Sequence, residues 1–432
     1  MRESANVLKK CCFRSLKENQ KRTAVTSVGI VLATALITGV ACILASFRAS
    51  MIAYEKQQNG DYHYHFVEVG QENLKYFQNN INIEKYGLAE NLGYAPLEES
   101  QNPDKPYLHV SAIEKGMEST LALKLTEGRM PENGSELAVG SHVRSNGLDI
   151  KVGDVLELQM GERMAGESAL GQENPYIEGE ERFVPSSRKR YTVVGILERP
   201  NQVWEPRIAP GYSAFTLLEE PERAGVVEVY ASYTKKGLRN AQQVNAGILG
   251  VDEELYRRYY VGEALGIITP EEEAQIRAVA KNVQENYWLL KWELLIFSSN
   301  IMKMLYAMSA IAILIIIVTS VFCIHNSFMI SLTEKMKLYG RLASVGTTRG
   351  QQKKIVYYEA AVLGLVGVPL GVISGIAATA VLVGAVGGLV EDALGFRLVF
   401  GISIWAILLG AALSAATVYL SAAGSARRAA QV

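Results

Sequence analysis

Cysteine is nearly missing from this sequence. Only Cys11, Cys12, Cys42 and Cys323 occur in 432 residues. No disulfide framework can therefore hold the long stretch between the last two, although that stretch is ample for a core of its own. Nucleotide-hydrolysing signatures are missing as well. The chain contains no Gly-Lys dipeptide, which excludes a P-loop of the G-x-x-x-x-G-K-[ST] form and ATP hydrolysis by that route. Neither H-E-x-x-H nor G-x-S-x-G occurs, so zinc-protease and nucleophile-elbow chemistry lack their residues. Histidine is sparse, with five in all. His63 and His65 alternate on an expected strand and share a face that would suit a metal. With no third ligand identified, a surface or core pair is the simpler reading, and no metal ligand is assigned.

Charge is what four stretches lack. Residues 23–47, 304–332, 360–390 and 398–426 hold no Asp, Glu, Lys or Arg, and each exceeds the length needed to cross about 30 Å of hydrocarbon. A buried core helix would be shorter and would carry polar residues at helical spacing. The formal net charge of −1 conceals a division: residues 48–293 carry 26 basic and 38 acidic side chains, the remainder 17 and 6. Such asymmetry places the parts in different environments.

Orientation follows from the flanking cations. Lys9, Lys10, Arg14, Lys17, Lys21 and Arg22 precede the first run, and Lys335, Lys337, Arg341, Arg349, Lys353 and Lys354 separate the second from the third. Arg427 and Arg428 follow the fourth, whereas the linker between third and fourth has Arg397 against Glu391 and Asp392. The positive-inside rule puts both termini and the 333–356 loop in the cytoplasm of a multi-pass plasma-membrane protein, with 48–293 and the last linker outside. The first run reads as a retained anchor; a cleaved signal peptide is the alternative, disfavoured by the run's length and the lack of a small-x-small site.

The organisation expected is a cytoplasmic basic amphipathic helix at 1–23, membrane spans at 24–47, 304–332, 357–384 and 398–424, an external linker at 385–397 and a cytoplasmic tail at 425–432. The fold class is an α-helical membrane protein with four transmembrane helices and a mixed α/β extracytoplasmic domain inserted between helices 1 and 2. Within that domain, alternation and β-branched or aromatic content predict strands at 62–69, 136–140, 155–160, 191–197 and 226–233. Helices are expected at 71–80 and 236–247, and 162–190 reads as an exposed excursion with little periodicity.

Thr269, Pro270 and Glu272 form a helix start with a capping box. Beyond it, Ile276, Ala280, Val283, Tyr287, Leu290, Leu294, Phe297 and Ile301 recur in steps of four and three, the spacing of a coiled-coil seam. This predicts a stalk helix over about 270–303, roughly 50 Å long at 1.5 Å per residue. An amphipathic helix lying on its own domain is the alternative. In the third span Gly367, Gly371 and Gly375 follow small-xxx-small spacing, which permits close helix approach, and Pro369 predicts a kink.

Four places carry a family resemblance. The first is the amino end: Leu8-Lys9, Arg14 through Asn19, Arg22-Thr23 and Gly29-Ile30. The second is Glu127-Gly128-Arg129-Met130-Pro131, then Glu136-Leu137-Ala138-Val139, Val152-Gly153-Asp154-Val155-Leu156 and Tyr191-Thr192-Val193-Val194-Gly195-Ile196. The third is the run from Glu334 to Arg349 followed by Glu359, and the fourth is Ser425-Ala426-Arg427-Arg428-Ala429-Ala430. In this order the chain resembles the FtsX/MacB-like ABC transporter permeases. The cytoplasmic run departs from the family pattern in having no acidic residue beside Gly340.

The resemblance implies a non-catalytic permease subunit that couples ATP hydrolysis by a separate ATPase to movement of the external domain. The cargo class it implies is amphiphilic: a lipoprotein, a peptide or an antibiotic. The alternative is an FtsX-like signalling protein that activates a cell-wall hydrolase or senses a peptide. Glu334, Lys335, Lys337, Leu338, Gly340, Arg341, Leu342, Val345, Gly346 and Arg349 are the expected ATPase-coupling residues. Independently, Leu338, Leu342 and Val345 form an apolar stripe with Lys337, Arg341 and Arg349 around it, which suits a short helix seated in a partner's groove. No cofactor is expected in this chain, ATP and Mg2+ being bound by the partner. The expected partners are a cytoplasmic ABC ATPase dimer, a second permease unit (another copy or the second half of a longer chain), membrane lipid and an extracytoplasmic protein or peptide. No nucleic acid is expected. Spans nearly free of ionisable residues, His325 and the bordering Glu359 aside, argue against an ion path through the bilayer.

Overall fold

Long uncharged runs can satisfy their backbone in a membrane only as helices, and alternating runs with β-branched residues pair as strands. The computed structural model follows both rules and describes residues 20–262, 268–293, 300–344 and 347–429. The chain divides into two units, Met1–Ala53 with Ile296–Val432, and Tyr54–Leu295. Helix α1 is Gln20–Asn59, and the inserted domain follows it. Its strands are β1 (Tyr64–Gly70), β2 (Ile83–Pro96), β3 (Tyr107–Ile113), β4 (Leu125–Gly128), β5 (Glu136–Gly140), β6 (Val155–Ala165), β7 (Ser168–Leu170), β8 (Arg182–Leu197), β9 (Gly211–Leu217) and β10 (Val226–Tyr233). Next come α2 (Lys235–Arg239), α3 (Ala241–Leu249), α4 (Glu253–Gly262), α5 (Pro270–Arg277), β11 (Asn282–Glu285) and α6 (Tyr287–Glu293). The other unit contains α7 (Asn300–Ser344), α8 (Arg349–Leu394) and α9 (Ile404–Ala429). Four of these helices, α1, α7, α8 and α9, are long and apolar enough to span a membrane.

The strands of the inserted domain form one mixed sheet in the order β11-β1-β10-β2-β3-β9-β5-β8-β6-β7, with β4 on β8. The β3–β9 and β5–β8 pairs are parallel. An added pairing of Tyr94 with Gly161 joins β2 to β6, so six strands, β2-β3-β9-β5-β8-β6, close into a circuit. Two glycines permit that crossing. Gly93 has φ +95° and its missing Cβ would sit 2.5 Å from the Gly161 carbonyl, while a Cβ on Gly161 would strike the Val184 carbonyl. The circuit encloses a core that includes Leu108, Val110, Val139, Met160, Val193 and Tyr212. The open wing, β11-β1-β10-β2, packs Phe66, Val229 and Tyr233 against Leu238, Ile248, Leu255 and Tyr256 of the covering helices.

The expected stalk is corrected. The capping box of Thr269 and Glu272 forms, but the helix it starts ends at Arg277. The seam residues are spent on the domain's own packing: Ile276, Ala280 and Leu290 are buried in the wing core, with Val283 packed against it. Asn282–Glu285 leave the helix to pair with the free edge of β1, from Glu285 opposite Tyr64 to Asn282 opposite Val67. An edge strand that gains a partner satisfies a row of backbone groups that a solvated stalk would leave open. Tyr287 lies half exposed at the start of α6, and Leu294 and Phe297 lie outside the described residues. Two smaller expectations change as well. The 71–80 helix is a 3-10 segment at Gln71–Tyr76, and 236–247 splits into α2 and α3 at Asn240.

The 162–190 excursion is structured. Strands β6 and β8 run far into it as an antiparallel pair from Val155–Thr192 to Met164–Arg182. Arg163, wholly buried, holds the remainder. Its guanidinium donates to both Glu181 oxygens at 3.0 and 2.5 Å, and to the carbonyls of Gly171 and Asn174 at 2.9 and 3.2 Å. The rings of Tyr94 and Tyr107 lie 5.2 and 5.6 Å from its central carbon. A buried cation with its donors filled in this way is tolerated, whereas one stripped of a partner is not.

A second buried charge sits beside β9. Glu205 accepts from Lys105 at 2.8 Å, shares a 2.7 Å hydrogen bond with His142, and accepts from the Ser213 N–H at 2.9 Å. Burial alone would raise its carboxyl pKa; the His142 hydrogen bond and the His142 and Lys105 charges outweigh it and hold the group at about 2. Because that folded value lies below the unfolded value of about 4.3, the stabilisation is complete above about pH 4.3 and is lost as pH falls toward the folded value. Glu205→Gln should lower domain stability by about 3 kcal/mol, since Lys105 is left buried beside a neutral amide. It should also flatten the acid limb of the stability curve. Urea unfolding followed by circular dichroism across pH 2–7 checks both, and an unchanged acid limb would show that Glu205 is not the titrating group.

Candidate coupling site

The expected coupling residues fall at the ends of two long helices instead of on a helix of their own. Helix α7 runs without interruption past residue 332 to Ser344, so Glu334, Lys335, Lys337, Leu338, Gly340, Arg341 and Leu342 occupy its last turns. Val345 and Gly346 lie outside the described residues. Thr348 then caps α8: its hydroxyl accepts from the Gln351 N–H at 3.4 Å, and its own N–H donates to the Gln351 side chain at 2.9 Å. Arg349 is the first residue of that helix. A single joint of a few residues thus connects two helices of 45 and 46 residues, each about 68 Å long at 1.5 Å per residue.

Behind the joint, α8 buries Gln352, Ile355, Val356, Glu359 and Ala360, and α9 buries Ser421, Ser425 and Ala426. His325 of α7 shares a 3.1 Å hydrogen bond with the Ser421 carbonyl. Gly424 makes room for that ring, because a Cβ there would lie 2.5 Å from His325 Cε1. The amino-terminal portion of α7 is different. No described side chain from Lys303 to Thr319 is buried, and burial begins at Ser320 and Ile324.

The glycine series of the third span meets the first. Gly367, Gly371 and Gly375 are buried, and Cβ atoms on them would fall 2.7 Å from Ile30 Cγ2, 2.5 Å from Thr34 Cβ and 2.6 Å from the Ala35 carbonyl. Close approach here sets the α8 backbone directly against Ile30, Thr34 and Ala35 of α1. Farther along α1, Ser46 and Ser50 clip the non-helical residues that lead into α9. Ser50 Oγ accepts from the Val399 N–H at 2.7 Å, and Ser46 Oγ accepts from the Gly401 N–H at 3.1 Å. Irregular backbone at such a level needs partners of this kind. The i, i+4 spacing of the two serines was the available sequence signal.

In the inserted domain, the chain's points of arrival and departure are fastened together. The Asn286 amide donates to the carbonyls of Gly60 and Tyr62, each at 3.0 Å. His63 Nδ1 accepts from the Tyr233 N–H at 2.7 Å, so its Nε2 carries the proton and donates to Glu293 at 3.0 Å. Lys56 bridges Asp61 at 2.8 Å and Glu293 at 3.5 Å. Burial pushes the Glu293 carboxyl up, but the His63 hydrogen bond and the neighbouring charges outweigh it and leave the group below its usual range. His65 faces other partners, Glu228 at 2.5 Å and the stacked ring of Tyr230 at 4.1 Å. Among the described residues no group of three or more His, Cys, Asp or Glu could hold a metal.

These features define a membrane protein with four spanning helices and a mixed α/β domain between the first and second. Residues 310–432 match the family described as FtsX-like permease C-terminal, in agreement with the resemblance of the 334–349 and 425–430 segments. The chain is also similar to the extracellular domain of the noncanonic ABC-type transporter YknZ from Gram-positive bacteria, with 8% identity and a TM-score of 0.27 over 44% of this chain and 96% of that one. The periplasmic region of MacB from Actinobacillus actinomycetemcomitans gives 8% identity and 0.27 over 49% and 96%. A domain of a putative permease from Porphyromonas gingivalis gives 12% and 0.26 over 45% and 76%. No curated protein matches the chain in sequence.

Gly371→Val should separate α1 from α8 and cost about 1–3 kcal/mol. Gly384→Ala, where an added Cβ meets nothing within 4 Å, should be neutral or slightly stabilising. Thermal unfolding of the two variants in one detergent compares them directly, and equal melting temperatures would refute the close-packing account.

Proposed function

We propose that the chain is the permease subunit of an ABC transporter. In this reading a separate cytoplasmic ATPase dimer binds ATP and Mg2+ and drives movement of the inserted domain on the outer face of the membrane, for export or extraction of an amphiphilic substrate. The observation that carries the reading is the FtsX-like match over 310–432 together with the continuity of α7. Of the residues expected to dock on the ATPase, Glu334 to Leu342 lie on the last turns of the same helix that spans the membrane. Displacement of these turns therefore tilts α7 directly, because the helix is continuous from them into the span.

The inserted domain receives this movement through the segments that were found fastened together. Helix α1 ends at Asn59, three residues after Lys56, and Glu293 ends α6 shortly before α7 begins. Lys56, His63, Asn286 and Glu293 make the two connections respond as one. The long exposed apolar side of α7, with Met304, Met308, Ile311 and Ile315, supports two further elements of the reading: a second permease unit opposite it, and passage of an apolar substrate along it. A symmetric ATPase pair presents two equivalent docking surfaces, which is why two units are expected.

Two measurements test the proposal. Charge reversal at both Arg341 and Arg349 should weaken copurification with the cognate ATPase and reduce stimulation of its ATP hydrolysis by at least tenfold; unchanged binding and stimulation would defeat the docking assignment. Asn286→Ala combined with Glu293→Gln should leave docking and ATP hydrolysis near the wild-type level while substrate export falls severalfold. If hydrolase activation falls in place of export, the output is signalling. If neither output changes, the fastening does not transmit force.

A further inference from the structure

The helix pair α8–α9 carries a feature that the coupling reading does not use. A groove of about 780 Å3 opens between them, lined by Lys354 and Tyr357 at one end and Pro369 at the other. It exists because the facing positions are small: Ala361 and Gly364 on α8, Ala411 and Ala415 on α9. Its mouth is on the outside of the bundle, where Leu365 is 78% exposed and Tyr419 59% exposed. The interior is almost wholly apolar, and polarity is concentrated at the Lys354 end.

That end is built differently from the rest of the groove. Tyr357 and Tyr419 stack with centroids 5.2 Å apart and planes 18° apart, the placement amphipathic rings take at a membrane–water boundary. Four exposed cations cluster on the same two helix ends, Lys353 and Lys354 early in α8 and Arg427 and Arg428 late in α9. None of the four has a carboxylate partner among the described residues. The distance from Lys354 to Pro369 is 15 residues of helix, about 22 Å. One leaflet of hydrocarbon is about 15 Å deep, so the groove starts at headgroup level and follows a chain through the leaflet.

We propose that this groove is a binding site for an anionic phospholipid, with one acyl chain lying along Gly364 and Ala415 and the phosphate held by Lys354 and the neighbouring arginines. An acyl chain fits the long apolar trough, and the unpaired cations select a negative headgroup over a zwitterionic one. A bound lipid of this kind holds α8 and α9 at a fixed separation just behind the joint at 345–348. The proposal does not depend on the transport reading, because its test needs neither an ATPase nor an exported substrate.

The experiment is thermal unfolding of the purified full-length chain in a neutral detergent, titrated with phosphatidylglycerol, phosphatidylcholine or soluble glycerol 3-phosphate. Phosphatidylglycerol should raise the melting temperature of the wild type, and the other two should not. Lys354→Glu, at an exposed position, and Ala415→Phe, which fills the trough, should each raise the phosphatidylglycerol concentration for half the effect by at least tenfold. An equal response in Lys354→Glu overturns the proposal, and so does an equal effect of phosphatidylcholine or of glycerol 3-phosphate. If Ala415→Phe does not fold, Lys354→Glu alone decides. Efficient Ala411→Cys crosslinking between two chains in membranes would show the groove to be covered by a second copy, and would likewise overturn the proposal.

Discussion

The inserted domain depends on one short set of hydrogen bonds. Its chain arrives through residues 54–61 and leaves through 286–293, and Asn286 ties the second segment to the carbonyls of Gly60 and Tyr62. Around that amide, His63, Glu293 and Lys56 complete a partly buried polar cluster. Strand β11 pairs with β1 only if this closure holds, because Glu285 sits immediately before Asn286 and opposite Tyr64. A domain inserted into a loop needs its termini close together. Here that closeness is enforced by side chains, without a disulfide.

Buried charge performs the same service deeper inside. Arg163 collects the carbonyls of an irregular segment and one carboxylate, and Glu205 collects a lysine, a histidine and a backbone N–H. Each lies where β6, β8 or β9 would otherwise end against a loop with unmet polar groups. The desolvation of such ions is repaid only when every donor and acceptor finds geometry. The cost of an imperfect substitution at either position therefore exceeds that of a typical surface ion pair.

The four spanning helices and the strands at 136–140 and 226–233 were legible because length and alternation are local signals. The stalk was not. Steps of four and three from Ile276 to Leu290 describe any apolar set that meets a core, and whether that core is a neighbouring helix or the wing of a sheet is a tertiary matter. The free edge of β1, invisible in the sequence around residue 282, decided it. Strands β3 and β9 passed unnoticed because their buried stretches, such as 107–113, lose the alternation that marks a half-buried strand. At the candidate site, the glycine spacing of the third span could be read, whereas its partner positions Ile30, Thr34 and Ala35 could not. The polar fastening of His63 to Glu293 joins residues 230 positions apart, beyond any local pattern.

Among the described side chains of helix α7, full burial begins at Ser320, and Ile324 and His325 meet α9. The twenty residues before that point form a rod of about 30 Å in which no described side chain is buried. A rod held at one end is a cantilever. Turning the grip by about 5° displaces the free end by roughly 3 Å, at little cost in broken contacts. Gain of this sort needs stiffness in the rod more than specificity along it, and the unbroken backbone ladder of a helix without proline or glycine between Asn300 and Tyr339 supplies that stiffness.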